Sequence, residues 1–283
     1  MPHLNTLVVL FVIVCGTSKV ERAMSDPATS TSQAMTPVSR IRKQRRSDPF
    51  YVWMAATLLL INIVGFAPTF FLKSFFHPEA PALPLRTHAH GFLFTSWFVL
   101  LLLQSILIRR DSVRYHRRLG VVGGALAVAM VVSGLVTLYF GVEKFLDAGG
   151  SVARASQFLW GNLTLLSAFV VFVSLAIAYR ARPAAHKRLM LLAALAMIVQ
   201  SLGRIGVFPA LQLGSSPALS EAVFGLGGLA ALLVVMVIHD KIVARQVHPA
   251  VAWGAPLLLG GILFIALVVP STSFGQSLVR ALF

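Results

Sequence analysis

The sequence contains little cysteine and little acid. Its 283 residues include one cysteine, Cys15, and nine Asp and Glu residues against 24 Lys and Arg residues. A single cysteine excludes an internal disulfide, a Cys-x-x-Cys redox pair and a cysteine-rich metal site. Charged residues of both signs make up 12% of the chain, well below the roughly 25% of soluble domains. The composition is therefore not that of a soluble domain.

The chain is rich in apolar residues. They make up 57% of the chain, whose mean hydropathy is +0.83. The net charge of +15 would suit a nucleic-acid partner if the basic residues lay together on one polar face or arm. They lie instead in short turns between apolar runs. We therefore predict a protein whose main partner is the lipid bilayer, and no nucleic-acid partner.

Seven apolar segments approach the length needed to cross a bilayer. A helix rises 1.5 Å per residue, so a span takes about 20 apolar residues whose backbone groups are hydrogen-bonded within the segment. The predicted spans are 50–72, 91–108, 119–142, 158–179, 189–208, 222–238 and 250–269. The sequence thus predicts an all-α polytopic bundle over residues 47–270, followed by a short C-terminal tail over 271–283.

The basic residues are distributed unequally between the two sides of this bundle. The stretches 40–46, 109–118, 180–188 and 241–245 fall on one side and hold five, five, four and two Lys and Arg residues, 16 in all. The opposite side holds five, which are Lys73, Arg86, Lys144, Arg154 and Arg280. Because loops rich in Lys and Arg stay in the cytoplasm, we predict a bacterial inner-membrane protein with a cytoplasmic N-terminus and a C-terminus on the outer side.

Residues 1–46 are predicted to form a poorly ordered basic tail on the cytoplasmic side. Residues 4–15 resemble the core of a signal peptide, but no Lys or Arg precedes them and no good cleavage site follows. Two alternatives remain open. Residues 4–15 form a membrane-associated segment, or translation begins at Met24 or Met35.

Two helical hairpins look alike in sequence. The second helix of one hairpin begins with His116-Arg117-Arg118-Leu119-Gly120, and that of the other begins with His186-Lys187-Arg188-Leu189-Met190. Ala-Leu-Ala follows in both, at 125–127 and 194–196. A parallel duplication predicts a four-helix core made of the second to fifth spans. The alternative is that membrane insertion alone makes basic turns resemble one another.

The histidines on the basic side are candidate cofactor ligands. A duplication would bring His116 and His186 to the same depth on different helices, which is the arrangement that two axial ligands of a b-type haem require. His239 is a third candidate, paired with either of them. The alternative is that these histidines, in the first turns of their helices beside Arg and Lys, only anchor the helices at the interface.

The opposite side offers candidates for a solute-binding vestibule. Arg204 lies within the fifth span with Gln200 one turn earlier, and ionisable groups in hydrocarbon are often functional. With His88 or His90, Arg204 would suit a carrier or channel for a small anionic solute. Alternatively, Arg204 extends to the outer headgroups. If His88 and His90 are helical, they point to nearly opposite faces, which argues against one metal ion bound by both.

Several short motifs resemble those of known membrane proteins. His90-Gly91, Gln104 and the run from His116 to Gly120 resemble a family of bacterial multi-pass membrane proteins with the pattern His-Gly, Gln, His-Arg-x-Leu-Gly and no assigned activity. The runs 186–190 and 248–254 fit the same pattern. More distantly, a four-helix core with histidines at helix ends resembles membrane b-type cytochromes of the ferric-reductase and ascorbate-reducing kind. That resemblance implies haem, although here no histidine in the outer half of spans three to five could pair with His88 or His90.

No Ser-His-Asp set, Walker loop or His-Glu-x-x-His motif is present in the sequence. Our leading interpretation is therefore a multi-pass membrane protein without a recognisable catalytic constellation. One alternative is a redox protein with a single b-type haem that exchanges electrons with quinone. Another is a carrier or channel for a small solute.

Overall fold

The computed structural model describes residues 48–213 and 217–283. Within these ranges the secondary structure is helical and contains no strand. Seven of the described helices are long and apolar enough to cross a membrane, which confirms the predicted all-α polytopic bundle. The predicted tail over residues 1–46 lies outside the described residues.

The second to sixth membrane helices are longer than the apolar segments that predict them. Their bounds are α1 Phe50–Phe66, α2 Leu85–Arg109, α3 Val113–Asp147, α4 Val152–Ala178, α5 Pro183–Leu213, α6 Pro217–Ala244, α7 Pro249–Leu267 and α8 Ser273–Leu282. A π-helical turn, Ala67–Phe71, continues α1. Helix α3 has 35 residues, about 52 Å at 1.5 Å per residue. It continues through charged residues at both ends, where hydropathy no longer marks the helix.

Helix α5 lies at the centre of the bundle. It packs against α1, α4, α6 and α7. In its most apolar 18-residue stretch, 61% of the residues are buried, against 17–33% in the corresponding stretches of the other six spans. Ala193, Ala194 and Ala196 are fully buried along it. Small side chains let neighbouring helices approach closely where no water drives them together. The second Ala-Leu-Ala motif therefore marks the most enclosed part of the fold.

The structure adds α1 to the predicted core of α2 to α5. Helix α1 packs on both α2 and α5. Buried Asn62 donates a hydrogen bond to Ser201 Oγ at 3.4 Å and accepts one from Thr95 Oγ1 at 3.2 Å. One turn later, a Cβ atom at Gly65 would lie 2.4 Å from the Ser201 carbonyl oxygen. The α1 and α5 backbones thus meet at Gly65, and the Asn62 amide joins three helices.

The C-terminal segment contains a helix that packs on the bundle. Helix α8 contacts α4, where Ser156 Oγ and Trp160 Nε1 donate to the Gly275 carbonyl oxygen at 2.9 and 3.0 Å. The ring of Phe283 also lies 4.9 Å from that of Tyr139 on α3. The segment predicted as a short tail is therefore attached to α3 and α4.

Candidate functional site

One end of the bundle gathers most of the ionisable side chains. There α2, α4 and α6 end and α3, α5 and α7 begin, because these helices pack as neighbours joined by short turns. We call it the basic end, after Arg109, Arg114, Arg182, Lys187 and Arg245. The other end is called the opposite end.

The structure brings His116 and His186 together at the basic end. Each is the fourth residue of its helix, α3 or α5, as the repeat in the sequence predicts. The centroids of the two imidazole rings lie 6.2 Å apart, and the ring planes are perpendicular. Two imidazoles at this separation could bind one small group between them.

Backbone and amide groups surround this histidine pair. His186 Nδ1 lies 2.8 Å from the Ala176 carbonyl oxygen. Because a carbonyl oxygen only accepts, Nδ1 carries the proton and a neutral ring leaves Nε2 free as a ligand. Among the described residues, His116 Nδ1 and Gln104 Oε1 are buried without a hydrogen-bond partner. They are two of seven such atoms in the part of the chain that the structure describes, and a group bound between the histidines could pair with both.

The structure places His239 in a different set of contacts. Its ring stacks on Phe50, with centroids 3.8 Å apart and planes 12° apart, and meets Tyr51 edge-on. Its Nε2 lies 2.5 Å from Asp48 Oδ2. Its ring neighbours are therefore residues of α1, whereas those of His116 and His186 are each other.

A buried ion pair connects α5 and α6 beside these histidines. Arg188 Nε lies 3.0 and 2.9 Å from the two carboxylate oxygens of Asp240, and Nη2 lies 2.5 Å from Oδ1. Arg188 Nη1 also donates to the Ala184 carbonyl oxygen at 2.8 Å. Asp240 is fully buried and Arg188 is 6% exposed. Because burial removes both charges from water, their mutual contacts must replace that solvation.

Sequence reasoning missed the acidic residues of the basic end. Asp240 carried a usable signal, since it is one of only nine acidic residues and stands at the end of a span where cations are expected. An acid among such cations indicates an ion pair. Asp48 pairs with His239 across 191 positions, and no local pattern in the sequence predicts that contact.

His248 caps helix α7 at the same end. Its Nδ1 accepts a hydrogen bond from the Ala250 N–H at 3.1 Å, and its own N–H donates to Asp240 Oδ2 at 3.0 Å. Burial lowers the pKa of His248, and the charges of Arg188 and Lys187 lower it further, against Asp240, which raises it. The neutral ring is the form that can accept the capping hydrogen bond.

Two of the vestibule candidates of the opposite end, His88 and His90, have different surroundings. His88 and His90 both lie within α2 and face differently, as predicted for helical residues. His88 is exposed, 5.7 Å from the Phe70 ring, whereas His90 packs on Phe94 at 4.1 Å. The Arg204 guanidinium lies 4.7 Å from the centroid of the Phe66 ring.

The amides within the spans hold helices together. Gln200 Nε2 on α5 donates to Asn162 Oδ1 on α4 at 3.0 Å. With the Asn62 contacts to Ser201 and Thr95, this accounts for three of the four amides in the predicted spans. They act as interhelical hydrogen bonds, each worth about 1 kcal/mol in membranes. Gln104 differs, because its Oε1 is buried and unpaired in the part of the chain that the structure describes.

A groove of about 690 Å³ runs along α2 beside His88. Phenylalanine and aliphatic side chains line it, together with His88, Thr95 and Ser96. Arg204 is not among the lining residues. The groove therefore does not give the polar path to Arg204 that a carrier of anionic solutes would need.

Comparison with protein families, curated proteins and solved structures finds no match. Within residues 48–213 and 217–283, no three His, Cys, Asp or Glu side chains form a group that could hold a metal ion. The interpretation of the basic end depends on its own geometry.

Proposed function

We propose that the protein is a membrane redox protein that binds one b-type haem between His116 and His186. One observation carries the proposal, the 6.2 Å separation of the two ring centroids. A metal–imidazole bond is about 2.0 Å long, and the ring centroid lies about 1 Å behind the ligating nitrogen, so two axial imidazoles have centroids about 6 Å apart. Perpendicular ring planes are compatible with axial ligation from both sides.

The surroundings of the pair support the same proposal. A ligating histidine usually donates its other ring N–H to a backbone carbonyl or carboxylate, which fixes the ring and its tautomer. The Ala176 carbonyl does this for His186. Arg117, Arg118 and Lys187 lie next to the two histidines in sequence and offer cations for the two propionate groups of a b-type haem. Haem supplies one-electron chemistry when bound, and a quinone in the bilayer is the proposed electron partner.

Haem content of histidine variants tests the proposal. We would express the full chain with added haem, purify it in detergent and measure haem per chain as the pyridine complex. His116→Ala and His186→Ala are expected to lose at least nine-tenths of the haem, whereas the exposed His77→Ala is the matched control and should keep it. Equal haem in all variants would place the ligands elsewhere, and no haem in the unsubstituted chain would end the proposal.

We also propose that the basic end faces the cytoplasm of a bacterial inner membrane. The distribution of 16 against five Lys and Arg residues supports this orientation, because insertion retains such loops inside. With seven spans, the C-terminus then lies outside. Alkaline phosphatase fused after Phe283 should be active, and a fluorescent protein fused there should be dark. The reverse pattern would refute the orientation.

A carrier function has less support. It needs a polar cavity that reaches Arg204, and the groove beside His88 does not include this residue. Arg204 packs over Phe66, which does not by itself indicate a solute. We therefore propose haem binding alone.

A further inference from the structure

The two basic turns of the repeat use their cations differently. We call residues 109–118 the first basic segment and residues 180–188 the second. In the second segment each Lys and Arg side chain has a partner within the protein: Arg180 donates to the Ile177 carbonyl oxygen, Arg182 and Lys187 lie over the rings of Tyr179 and Tyr51, and Arg188 binds Asp240. The cations of the second segment therefore serve the fold.

The first basic segment differs from the second in its arginines. All five of them are exposed, and they stand beside a single acid, Asp111. In the part of the chain that the structure describes, none of the five side chains makes a hydrogen bond, an ion pair or a ring contact. With His116 neutral, five arginines less one aspartate leave this segment a net charge of +4. The segment therefore presents cations that the fold itself does not use.

Helix α3 carries Arg114 on a face that meets lipid. Val121, Val128 and Val132 follow Arg114 by 7, 14 and 18 residues. At 3.6 residues per turn, all three lie within about 40° of Arg114 around the helix axis. They are 77, 51 and 57% exposed, and aliphatic side chains exposed within a span normally contact acyl chains. A lipid that packs along this face therefore has its headgroup beside Arg114.

Arg110 and Arg114 lie at the depth of lipid headgroups. Arg110 comes two residues after Ile108, the last apolar residue of α2. Arg114 comes five residues before Leu119, where the apolar part of α3 begins, and this is about 7.5 Å along the axis. The polar layer of each leaflet is about 5–8 Å thick. Since a guanidinium group can donate two parallel hydrogen bonds to one phosphate, arginines at this depth suit lipid phosphates.

We propose that Arg110 and Arg114 bind the phosphate of an anionic phospholipid whose acyl chain packs along the valine face of α3. The net positive charge of the segment favours a headgroup with a net negative charge, such as that of phosphatidylglycerol, over a zwitterionic one. Arg117 and Arg118 remain for the haem propionates, so the two sites use different arginines. The lipid site depends neither on haem nor on the side of the membrane that the basic end faces.

Native mass spectrometry of lipid binding tests this site. We would delipidate the full chain in detergent, add phosphatidylglycerol or phosphatidylcholine, and measure the dissociation constant of the first bound lipid. The parent chain should bind phosphatidylglycerol about tenfold more tightly than phosphatidylcholine. Arg110→Gln with Arg114→Gln is expected to weaken phosphatidylglycerol binding by about tenfold to thirtyfold, because each cation beside an anionic headgroup favours binding.

The second basic segment supplies the matched control. Arg180→Gln with Arg182→Gln removes the same charge from exposed positions at the same end and should leave phosphatidylglycerol binding nearly unchanged. Equal weakening in the two double variants, or no preference for phosphatidylglycerol in the parent chain, would overturn the lipid site.

Competition experiments separate a lipid from other anions. Inorganic phosphate should not displace phosphatidylglycerol, because it makes no contact with the valine face. Displacement by inorganic phosphate would show that the arginines bind only a free anion, and displacement by polyglutamate would assign them to an acidic protein. Either result would overturn the lipid site.

Discussion

Arg188 and Asp240 form a bidentate ion pair between α5 and α6 in which neither side chain is more than 7% exposed. The sequence alone places Arg188 among the solvated loop cations. In the structure it lies within the protein, and its carboxylate partner also accepts the N–H of His248. Asp240 therefore joins α5, α6 and the start of α7.

Removal of one partner of this pair should destabilise the protein strongly. Asp240→Ala leaves the Arg188 guanidinium buried without its counter-charge, which typically costs about 3–5 kcal/mol. We expect a clearly lower melting temperature in detergent, measured by differential scanning fluorimetry. Replacement of both partners, Arg188→Met with Asp240→Leu, removes the charges together and should recover most of the loss. A double variant no more stable than Asp240→Ala would show that the pair itself is not what matters.

The close approach of α1 and α5 gives a second prediction. A methyl group at Gly65 would meet the Ser201 carbonyl oxygen at 2.4 Å, and helix backbones cannot yield as flexible side chains do. Gly65→Ala should therefore destabilise the protein by about 1–3 kcal/mol, the usual cost of overpacking. Gly227→Ala is the matched control, because nothing lies within 4 Å of a Cβ atom there. Equal thermal stability of the two variants would contradict the observed helix contact.

The cap of α7 should make stability depend on pH in acid. Burial holds the pKa of His248 below its usual 6.5. The unfolded chain therefore takes up the proton first, and the contribution of the neutral cap is present above about pH 6.5 and lost as the pH falls through the folded-state pKa. His248→Asn keeps a good cap that does not titrate. Relative to it, the parent chain should lose up to about 1 kcal/mol between pH 7.5 and pH 5.

This comparison isolates the contribution of His248. All other titratable groups are the same in both proteins, so their effects cancel in the difference between the two unfolding free energies. A difference that stays constant over the pH range would contradict the capping role of His248.

Apolar length predicted the membrane helices well, because the hydrocarbon core requires about 20 apolar residues per span. It underestimated the lengths of α2 and α3. Helix α3, for example, extends beyond its apolar segment to include Arg114 near one end and Glu143 near the other. The seven spans differ little in hydropathy. Hydropathy gave no sign that α5 is central, which depends on which faces meet at contacts such as Gly65 with Ser201.

The sequence predicted the approach of the two histidines at the candidate site but not the groups around them. The repeat in the sequence carried enough information to pair His116 with His186, because matching positions of two hairpins come to one depth. The role of Ala176 was not predictable, since it contributes only a backbone carbonyl. The contact between Asp48 and His239 was not predictable either. It joins the start of α1 to α6 across 191 positions rather than two neighbouring hairpins.

The visible absorption spectrum of the purified protein tests the central claim most directly. After expression with added haem, the reduced-minus-oxidised spectrum should show the sharp α band and Soret shift of low-spin iron with two imidazole ligands, at one haem per chain. Those features should vanish in His186→Ala and persist in His88→Ala. A purified, folded chain without Soret absorption would contradict the account.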